Sequence, residues 1–330
     1  MTMEMRRIGH SEIEVAPLAL GGNVFDWTAD EKTSFAVLDA FVEAGGTMID
    51  TADVYSAWVP GHQGGESERL IGRWLKSDPA KRDKVVIATK VGYLDGEIVD
   101  GEYVAALQPE VIARACDASL GRLGVDCIDL YYQHKDNEKV PLADSLGALE
   151  KLRRHGKIRA IGLSNFSADR IDEAVATSRR EGFAAPAALQ PWYNLVERAK
   201  FEPEVRDAAL RNHLGVFPFY SLANGFLTGK YRTEADLSKS VRGERSRAYL
   251  RGKGARVLDA LDEVAAETGA ALATISLAWL MAQPSIVAPI ASATSVDQLK
   301  ELTAAMELKL SRAQLDRLDA ASAQAEPATT

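Results

Sequence analysis

Four polar residues stand where apolar runs end, and their side chains have complementary chemistry. They are Asp50, Tyr55, Lys90 and His134. A buried lysine beside a tyrosine stabilises the phenolate and lowers the pKa of the phenol, and an aspartate paired with that lysine keeps it charged. A histidine can hydrogen-bond a substrate oxygen and steer its proton. Together they predict a general acid that protonates a carbonyl oxygen while hydride reaches the carbon.

Each of these residues, taken alone, has a simpler structural interpretation. A single tyrosine is usually a packing residue, and a single lysine is usually solvated. Asp50 or Asp53 could simply cap the turn that follows a strand. The occurrence of all four types at successive strand ends favours the catalytic interpretation.

The elements that would position these residues are eight short apolar runs, rich in β-branched side chains. Amphipathic helical segments separate them, as at residues 109–123 and 141–154, each opened by a proline and followed by a glycine. Apolar strands alternating with such helices predict an α/β fold with a parallel sheet. Eight units favour closure into a (β/α)8 TIM barrel, with its chemistry at the C-terminal strand ends. The runs are residues 15–20, 48–51, 84–90, 127–132, 158–163, 187–190, 215–220 and 285–290.

Three segments lie outside these repeating units. Residues 5–15 predict a hairpin, with its turn at Gly9-His10-Ser11, that plugs the N-terminal face of the barrel. Residues 231–251 are polar and rich in arginine, and we expect a long mobile loop between the seventh strand and the next helix. The Ala-rich tail, residues 321–330, predicts poor order. We expect the whole chain, residues 1–330, to form one domain.

Composition and charge narrow the classes of function. Of the 330 residues, 46% are hydrophobic and 26% charged, as in a folded globular protein. The net charge of -8 disfavours nonspecific nucleic-acid binding, and no apolar run predicts a signal peptide or a membrane span. Cys116 and Cys127 have no metal-type spacing and favour a reducing, cytoplasmic compartment. The expected partner is a small molecule, and the sequence carries no signal of oligomeric state.

Short motifs follow one another in a fixed order along the chain. Asp50-Thr51-Ala52-Asp53-Val54-Tyr55 is the first, and the others are Gly65-Glu66-Ser67-Glu68, Ala88-Thr89-Lys90, Asp129-Leu130-Tyr131-Tyr132-Gln133-His134, Gly162-Leu163-Ser164-Asn165-Phe166, Gln190-Pro191-Trp192-Tyr193-Asn194 and residues 221–230. The first is similar to the signature D-T-A-x-x-Y of the aldo-keto reductase superfamily, and the set resembles its bacterial-type NADP-dependent oxidoreductases. The resemblance runs from the N-terminal hairpin to Leu302, and so many ordered motifs are far more specific than a lone glycine pattern.

The resemblance implies a role for each member of the tetrad. Tyr55 would be the general acid/base, Lys90 and Asp50 would tune it, and His134 would orient the substrate. The implied activity is NAD(P)H-dependent interconversion of aldehydes or ketones and alcohols by hydride transfer.

The resemblance also implies a site for a nicotinamide cofactor. Ser164, Asn165 and Gln190 would hold the carboxamide, and Tyr220 would stack on the ring. Backbone amides of residues 221–230 would grip the pyrophosphate, and the long loop that follows would lie on the cofactor side. The complete set is Ser164, Asn165, Gln190, Tyr220, Ser221, Leu222, Asn224, Gly225, Leu227, Gly229, Lys230, Ser292, Thr294 and Gln298.

The chain departs from the family pattern at a few positions. Ser56 follows the tyrosine, where relatives often have glycine, and Leu302 stands where an asparagine is usual. Ser292 or Thr294 replaces a basic residue near the adenosine end. NADP(H) is therefore the favoured cofactor, with NAD(H) as the alternative. The missing charge could come from Lys230, Arg232, Lys300 or an arginine of residues 231–251.

Two other classes of function compete with this prediction. One is a nicotinamide-binding regulatory subunit with little turnover, similar to the β subunits of potassium channels. The other is a metal-dependent barrel hydrolase that uses Asp50, Asp53, His134 and Asp136. The hydrolase leaves the proposed cofactor residues without a role, so we expect no metal.

Three tryptophans are candidates for the substrate pocket. They could line an apolar opening at the face where the strands end. They could equally pack loops onto the barrel. They are Trp27, Trp58 and Trp192.

Overall fold

The structure, a computed structural model, describes residues 4–323 of the chain. Its strands are β1 (Arg6–Arg7), β2 (Glu14–Val15), β3 (Ala19–Gly21), β4 (Met48–Asp50), β5 (Val86–Val91), β6 (Glu97–Val99), β7 (Glu102–Val104), β8 (Ile128–Gln133), β9 (Ile158–Ser164), β10 (Ala188–Gln190), β11 (Gly215–Val216) and β12 (Ile290–Ala291). Its α-helices are α1 (Glu31–Glu43), α2 (Glu66–Ser77), α3 (Pro109–Leu123), α4 (Leu142–Arg154), α5 (Ala168–Glu181), α6 (Glu204–Arg211), α7 (Lys253–Thr268), α8 (Leu272–Met281), α9 (Val296–Thr303) and α10 (Arg312–Ser322).

Eight of these strands form one parallel sheet, in the order β11-β10-β9-β8-β5-β4-β3-β12. The two edges meet where Val216 of β11 forms a parallel bridge with Ile286, which closes the sheet into a barrel. The amide of Val216 donates to Ser285 (3.0 Å), and the carbonyl of Val216 accepts from Val287 (2.9 Å). The predicted (β/α)8 barrel is confirmed. Three strands are clearly shorter than predicted, because only Ala19–Gly21, Gly215–Val216 and Ile290–Ala291 pair in the barrel sheet in their segments.

The two helices predicted from periodicity and punctuation are present. Helix α3 begins at Pro109, and Gly124 ends it in the left-handed region with a φ of 66°. Such a conformation suits glycine, which has no Cβ to clash with the last turn. Helix α4 follows Pro141, and its leucines turn inward onto the strands.

The N-terminal hairpin plugs one end of the barrel. Arg6 and Arg7 pair antiparallel with Val15 and Glu14. Ile8 and Ile13 are buried in the same apolar cluster as residues of the barrel interior, such as Leu130. A Cβ at Gly9 would lie 2.3 Å from the carbonyl oxygen of Ala187, just before β10, so the turn touches the N-terminal strand ends. The hairpin prediction is confirmed.

Residues 231–251 join the seventh barrel strand to α7, as predicted, but they are docked on the barrel. Two short 3-10 helices occupy Glu234–Lys239 and Gly243–Tyr249. Tyr231 and Leu237 are buried in the main core. The expectation that the segment has too little apolar content to dock is therefore wrong, because these two side chains anchor it.

The C-terminal end of the described chain is helical. Ala321 and Ser322 belong to α10, so the prediction of poor order is wrong for them. Residues 324–330, the rest of that predicted tail, lie outside the described residues.

No helix within residues 4–323 is by itself long and apolar enough to cross a membrane. The pair α7 and α8 passes that test only jointly, by length and composition, and is bent by 97°.

Candidate active site

The candidate tetrad gathers at the C-terminal ends of three adjacent strands. Asp50 is the last residue of β4, Lys90 lies near the end of β5, and His134 follows β8. The parallel register aligns Asp50 with Ala88 and Lys90 with Tyr132, so these strand ends are level. Tyr55 reaches the same place from the turn after β4. The strands therefore bring together all four residues predicted from the sequence.

Lys90 is the centre of the cluster. Its Nζ donates to Asp50 Oδ2 (2.7 Å), to the carbonyl of Thr51 (2.7 Å) and to Tyr55 Oη (3.1 Å). Lys90 and Asp50 are 0% and 1% exposed. An ammonium has three protons, and all three have acceptors here. The buried charge is thus both paired and fully hydrogen-bonded, which is what allows it to exist in the core.

The protonation of Tyr55 differs from the sequence prediction. Burial, and then the Asp50 carboxylate, raise the pKa of Tyr55 well above 10. Burial also lowers the pKa of Lys90, an effect opposed by Asp50. The prediction that Lys90 brings the phenol pKa down towards neutrality is therefore wrong for the groups of this chain. The Tyr55 phenol, which contacts Lys90, keeps its proton and can therefore act as an acid.

His134 is neutral at ordinary pH. Burial, and then the Lys90 charge, lower its pKa well below 6.5. Its ring lies 6.1 Å from the Tyr55 ring and 4.4 Å from the Tyr93 ring, measured between centroids. Nδ1 is buried and has no hydrogen-bond partner in the described chain. A neutral imidazole carries one N–H, so it can donate a hydrogen bond to an oxygen beside the phenol.

Ser56, the departure from glycine beside the tyrosine, has a positive φ of 72°. Few residues other than glycine adopt this region at low cost. Its Oγ donates to the carbonyl of Phe25 (2.8 Å), and the side chain is buried. That hydrogen bond gives the serine a local partner in a conformation that suits glycine.

The predicted carboxamide residues form a hydrogen-bonded chain next to the tetrad. Ser164 Oγ donates to the carbonyl of Gln190 (2.9 Å). Asn165 Nδ2 contacts Ser164 Oγ (3.1 Å) and the carbonyl of His134 (2.8 Å). Gln190 Nε2 donates to Asp50 Oδ1 (2.8 Å), so this amide also holds the partner of Lys90.

Tyr220 is half-buried and adopts a φ of 54°. Its ring stands edge-on to Trp192, with centroids 4.7 Å apart. Its carbonyl accepts from Asn194 Nδ2 (2.9 Å). Asn194 had no predicted role, although it ends a recognised motif, and it fixes the turn that presents the Tyr220 ring.

The segment from Ser221 to Lys230 is a tight turn with left-handed residues. Asn224 and Gly225 have φ values of 57° and 91° within the short helical stretch Ala223–Thr228, and Gly229 follows at 77°. The flanking side chains Leu222 and Leu227 pack into the core, and Ser221 Oγ donates to the carbonyl of Pro218 (2.9 Å). The exposed Lys230 has no carboxylate partner within residues 4–323, and its Nζ lies over the Tyr231 ring.

The predicted adenosine segment makes hydrogen bonds of its own. Thr294 donates through its backbone N and its Oγ1 to Gln298 Oε1 (2.9 and 3.0 Å). Ser292 Oγ donates to Oδ1 of Asn23 (2.7 Å), a contact that the sequence analysis missed.

Two of the three named candidates for the missing positive charge already have carboxylate partners. Arg232 forms a double hydrogen bond with Asp262 (2.8 and 2.7 Å), and Lys300 contacts Asp297 (3.1 Å). Lys230 is the named candidate that keeps its charge unpaired.

A nicotinamide dinucleotide fits these residues. Asn224 Oδ1 is buried and has no partner within the described chain, in a turn where Gly225 and Gly229 adopt positive φ values. The hydroxyl and amides of Ser164, Asn165 and Gln190 suit an amide ligand, which both donates and accepts. The half-buried Tyr220 offers a ring nearby.

The three tryptophans fall into two groups. Trp58 is edge-on to Tyr55 (6.2 Å) and to Trp27 (5.4 Å), so Trp58 flanks the phenol and Trp27 contacts Trp58. Trp192 instead contacts Tyr220. A cleft of about 1590 Å³ lies elsewhere, among residues such as Gly72, Lys76 and Arg122, and no tetrad member lines it.

Asp53 is a buried carboxyl beside the site, which the sequence suggested only as a turn cap or as part of the hydrolase alternative. It is 1% exposed, and neither of its oxygens has a hydrogen-bond partner in the described part of the chain. Burial, and then Glu68, raise its pKa to about 8. Within residues 4–323, no group of three or more His, Cys, Asp or Glu side chains is arranged to hold a metal ion. The geometry thus gives no support to the metal-dependent hydrolase.

The barrel and its strand-end cluster define an α/β-barrel protein with an ionisable site at the face where barrel enzymes carry their chemistry. The model of the aldo/keto reductase family matches residues 17–323. The chain is 34% identical to the "Uncharacterized oxidoreductase YrpG" of Bacillus subtilis over 313 residues, which cover 94% of this chain and 93% of that protein. It is 32% identical to the "Aldo-keto reductase yakc [NADP(+)]" of Schizosaccharomyces pombe, covering 99% and 93% of the two chains.

The chain belongs to the aldo/keto reductase family and is an oxidoreductase. A rice relative named "Probable voltage-gated potassium channel subunit beta" is 29% identical, over 93% of this chain and 92% of that protein. Relatives with different printed names thus resemble this chain over most of its length. The specific activity therefore depends on the residues of the site and not on the fold alone.

Proposed function

We propose that this protein interconverts aldehydes or ketones and alcohols with NADP(H), with Tyr55 as the general acid/base. The observation that carries the proposal is the Lys90 ammonium, which contacts Tyr55 Oη, Asp50 and the carbonyl of Thr51 at once. A buried lysine held so firmly against a phenol stabilises negative charge on that oxygen as its proton leaves.

The residues at and around the Tyr55 phenol have separate roles in the proton transfer. The phenol of Tyr55 bears the proton and delivers it to the carbonyl oxygen of the substrate. Lys90 compensates the charge left on Oη, and Asp50 and Gln190 keep Lys90 in place. Neutral His134 donates a hydrogen bond that fixes the substrate oxygen near the phenol.

The cofactor would be held by Ser164, Asn165 and Gln190 at the amide and by Tyr220 at the ring. Its phosphates would be held by residues 221–230. When bound, NADPH supplies the hydride for reduction, and NADP+ accepts it in oxidation. The Tyr220 ring is supported from the side by Trp192, with the ring centroids 4.7 Å apart.

Replacement of Tyr55 with Phe tests the proposal. The ring stays and the proton is lost, so we expect kcat to fall by about 10²–10⁴-fold. Affinity for NADP+ and the melting temperature should stay close to wild type. Steady-state NADPH consumption with an aromatic aldehyde, with calorimetry and thermal unfolding, measures all three.

Tyr131→Phe is the matched control. Its hydroxyl is buried and, unlike Tyr55 Oη, has no partner in the described chain, and its ring belongs to the core of the fold. We expect this variant to keep its activity. If Tyr55→Phe retains most of the activity, the catalytic assignment is wrong. Tight NADPH binding by wild type without turnover of any carbonyl would favour the regulatory-subunit alternative.

The proposed preference for NADP(H) rests on the unpaired charge of Lys230. A 2'-phosphate near this ammonium would gain a charge-assisted interaction that NAD(H) lacks. We expect calorimetric titration to show tighter binding of NADP+ than of NAD+, with the difference reduced in Lys230→Gln. Equal affinities in wild type would refute the preference.

A further inference from the structure

One arginine near the tetrad has a position that the proposed reaction does not use. Arg242 lies within residues 231–251, between the two short 3-10 helices, and is only half-buried. The carbon of its guanidinium lies over the ring of Trp27, 4.8 Å from the ring centroid. Trp27 contacts Trp58, and Trp58 contacts Tyr55. The guanidinium thus borders the aromatic group that flanks the catalytic phenol.

Arg242 also lacks an acidic partner in the described residues, as does the exposed Arg245, whereas other arginines of this segment are paired. Arg232 pairs with Asp262, and Arg247 pairs with Glu244 and Glu234. In the described residues, no carboxylate lies within ion-pair distance of Arg242, and its guanidinium donates no hydrogen bond to the protein. A partly buried guanidinium without acceptors is unfavourable unless a ligand supplies them.

Ring contacts connect Arg242 with the site, because Trp27 lies against Trp58 and Trp58 lies against Tyr55. Burial lowers the pKa of Arg242, and the phenols that oppose this effect include Tyr220 and Tyr55. These two belong to the proposed cofactor and catalytic positions. A substrate whose carbonyl meets Tyr55 would extend past Trp58 and Trp27 towards Arg242.

We propose that Arg242 binds a carboxylate of the substrate and so makes the enzyme selective for carbonyl compounds that carry an acidic group. A guanidinium can keep one face on an aromatic ring while its edge donates two parallel hydrogen bonds to a carboxylate. This inference rests on the proposed function and names its substrate class. Arg242 is assigned here as a specificity residue, with no part in proton transfer.

Turnover of matched aldehydes measures this selectivity. The acidic substrates are 3- and 4-carboxybenzaldehyde, and methyl 4-formylbenzoate is the neutral match. For Arg242→Met we expect kcat/KM with the better acidic aldehyde to fall by about 10- to 100-fold, because a charge-assisted hydrogen bond is lost. The neutral ester should lose less than about threefold. Arg242→Lys, which keeps the charge without the fork, should fall between.

Arg251→Met is the control for a change of net charge in the same segment. Its side chain is 90% exposed, and we expect it to treat both aldehydes as wild type does. A similar loss on the acidic aldehyde in this variant would show a general electrostatic effect and would overturn the assignment of Arg242.

Equilibrium binding separates this inference from the proposed reaction. Benzoate is titrated calorimetrically into wild type, Arg242→Met and Arg251→Met, with and without saturating NADP+. We expect Arg242→Met alone to bind benzoate at least about tenfold more weakly. If wild type reduces no aldehyde but shows this pattern, the proposed reaction fails and the carboxylate site stands.

Two results would overturn the inference. One is equal benzoate affinity in wild type and Arg242→Met. The other is a parallel loss of NADP+ affinity and of activity on both aldehydes, because that pattern would assign Arg242 to the cofactor phosphates.

Discussion

At the scale of single residues, the site depends on charged side chains that are buried, where desolvation of a charge costs free energy. The Lys90–Asp50 pair is almost fully buried, and such pairs contribute little to stability compared with apolar side chains of similar size. Here the pair is surrounded by groups that use every ammonium proton and also hold Asp50. The arrangement therefore makes sense as preparation for charge on Tyr55 Oη rather than as a source of fold stability.

Asp53 adds a carboxyl group whose raised pKa, about 8, keeps it largely neutral near pH 7. It lies close enough to Glu68 for that carboxylate to raise its pKa. Glu68 itself accepts from Thr89 Oγ1 (2.6 Å) and from Arg122 Nε (2.5 Å), so its charge is held in place. An ionised Asp53 would add a buried negative charge that has no partner, at a cost in free energy. Protonation of the carboxyl group removes this cost.

Asp53 should make the stability of the protein depend on pH between about 4 and 8. The pKa is about 8 in the folded state and about 3.9 in the unfolded chain. In that window only the folded state keeps the proton, so its stabilising effect is complete below about pH 4 and is lost as the pH rises to about 8. Asp53→Asn, which stays neutral, should become progressively more stable than wild type over this range. Urea unfolding of both proteins at pH 5, 7 and 9 measures the difference.

The comparison of variant with wild type removes the contributions of other titrating groups, such as His134. Asp126→Asn, at an exposed position, is the control and should show no such trend. A stability difference between Asp53→Asn and wild type that stays constant from pH 5 to 9 would contradict the raised pKa.

At the scale of elements, residues 231–251 are anchored unevenly. Tyr231 and Leu237 fix the first part in the core. Ion pairs between exposed side chains, such as Arg247 with Glu234 and Glu244, hold much of the stretch Gly243–Tyr249. Exposed ion pairs are weak, so the second part is the one that opens more readily.

Binding of NADP+ should therefore slow hydrogen exchange chiefly in Gly243–Tyr249. The stretch contacts the turn Ala223–Thr228 through the rings of Tyr249 and Phe226, and that turn is the proposed phosphate site. The hairpin of β6 and β7, which includes the exposed Ile98, is an internal comparison and should exchange at the same rate in both states. Unchanged exchange in Gly243–Tyr249 at saturating NADP+ would contradict the coupling of this segment to the cofactor.

At the scale of the whole molecule, the two ends of the barrel have separate tasks. The N-terminal end is closed by the hairpin, whose Ile8 and Ile13 fill the interior beneath the chemistry. The C-terminal end carries the candidate tetrad and the proposed cofactor residues. In barrels of this kind, residues at the first end support stability and residues at the second support catalysis.

Ile8→Ala should consequently destabilise the protein and leave its chemistry intact. Loss of a fully buried isoleucine costs about 2–5 kcal/mol of unfolding free energy through lost burial and the cavity left behind. Chemical denaturation measures this cost, and kcat/KM below the transition should stay within about twofold of wild type. Ile98→Ala, at a side chain that is 73% exposed, is the matched control and should change stability by less than about 0.5 kcal/mol. A large loss of activity in folded Ile8→Ala would mean that the two ends are coupled.

The sequence alone determined most of the barrel strands, two of the helices and the grouping of the candidate tetrad. Strand runs, the prolines and glycines around α3 and α4, and the N-terminal hairpin are local patterns, because periodicity and turn chemistry act over a few residues. The polar residues at strand ends could be grouped because parallel strands of a barrel all present their C-terminal ends on one face. That rule relates Asp50, Lys90 and His134 without any knowledge of distances.

The tertiary structure decided the properties that depend on distant neighbours. The direction of the Tyr55 pKa follows from burial and from Asp50. The second task of Gln190 follows from a contact between residues 140 positions apart. Residues 231–251 dock because Tyr231 and Leu237 find the core, although their local composition is polar. Burial and electrostatic interaction depend on distance in space, and a chain brings remote residues together only when it packs.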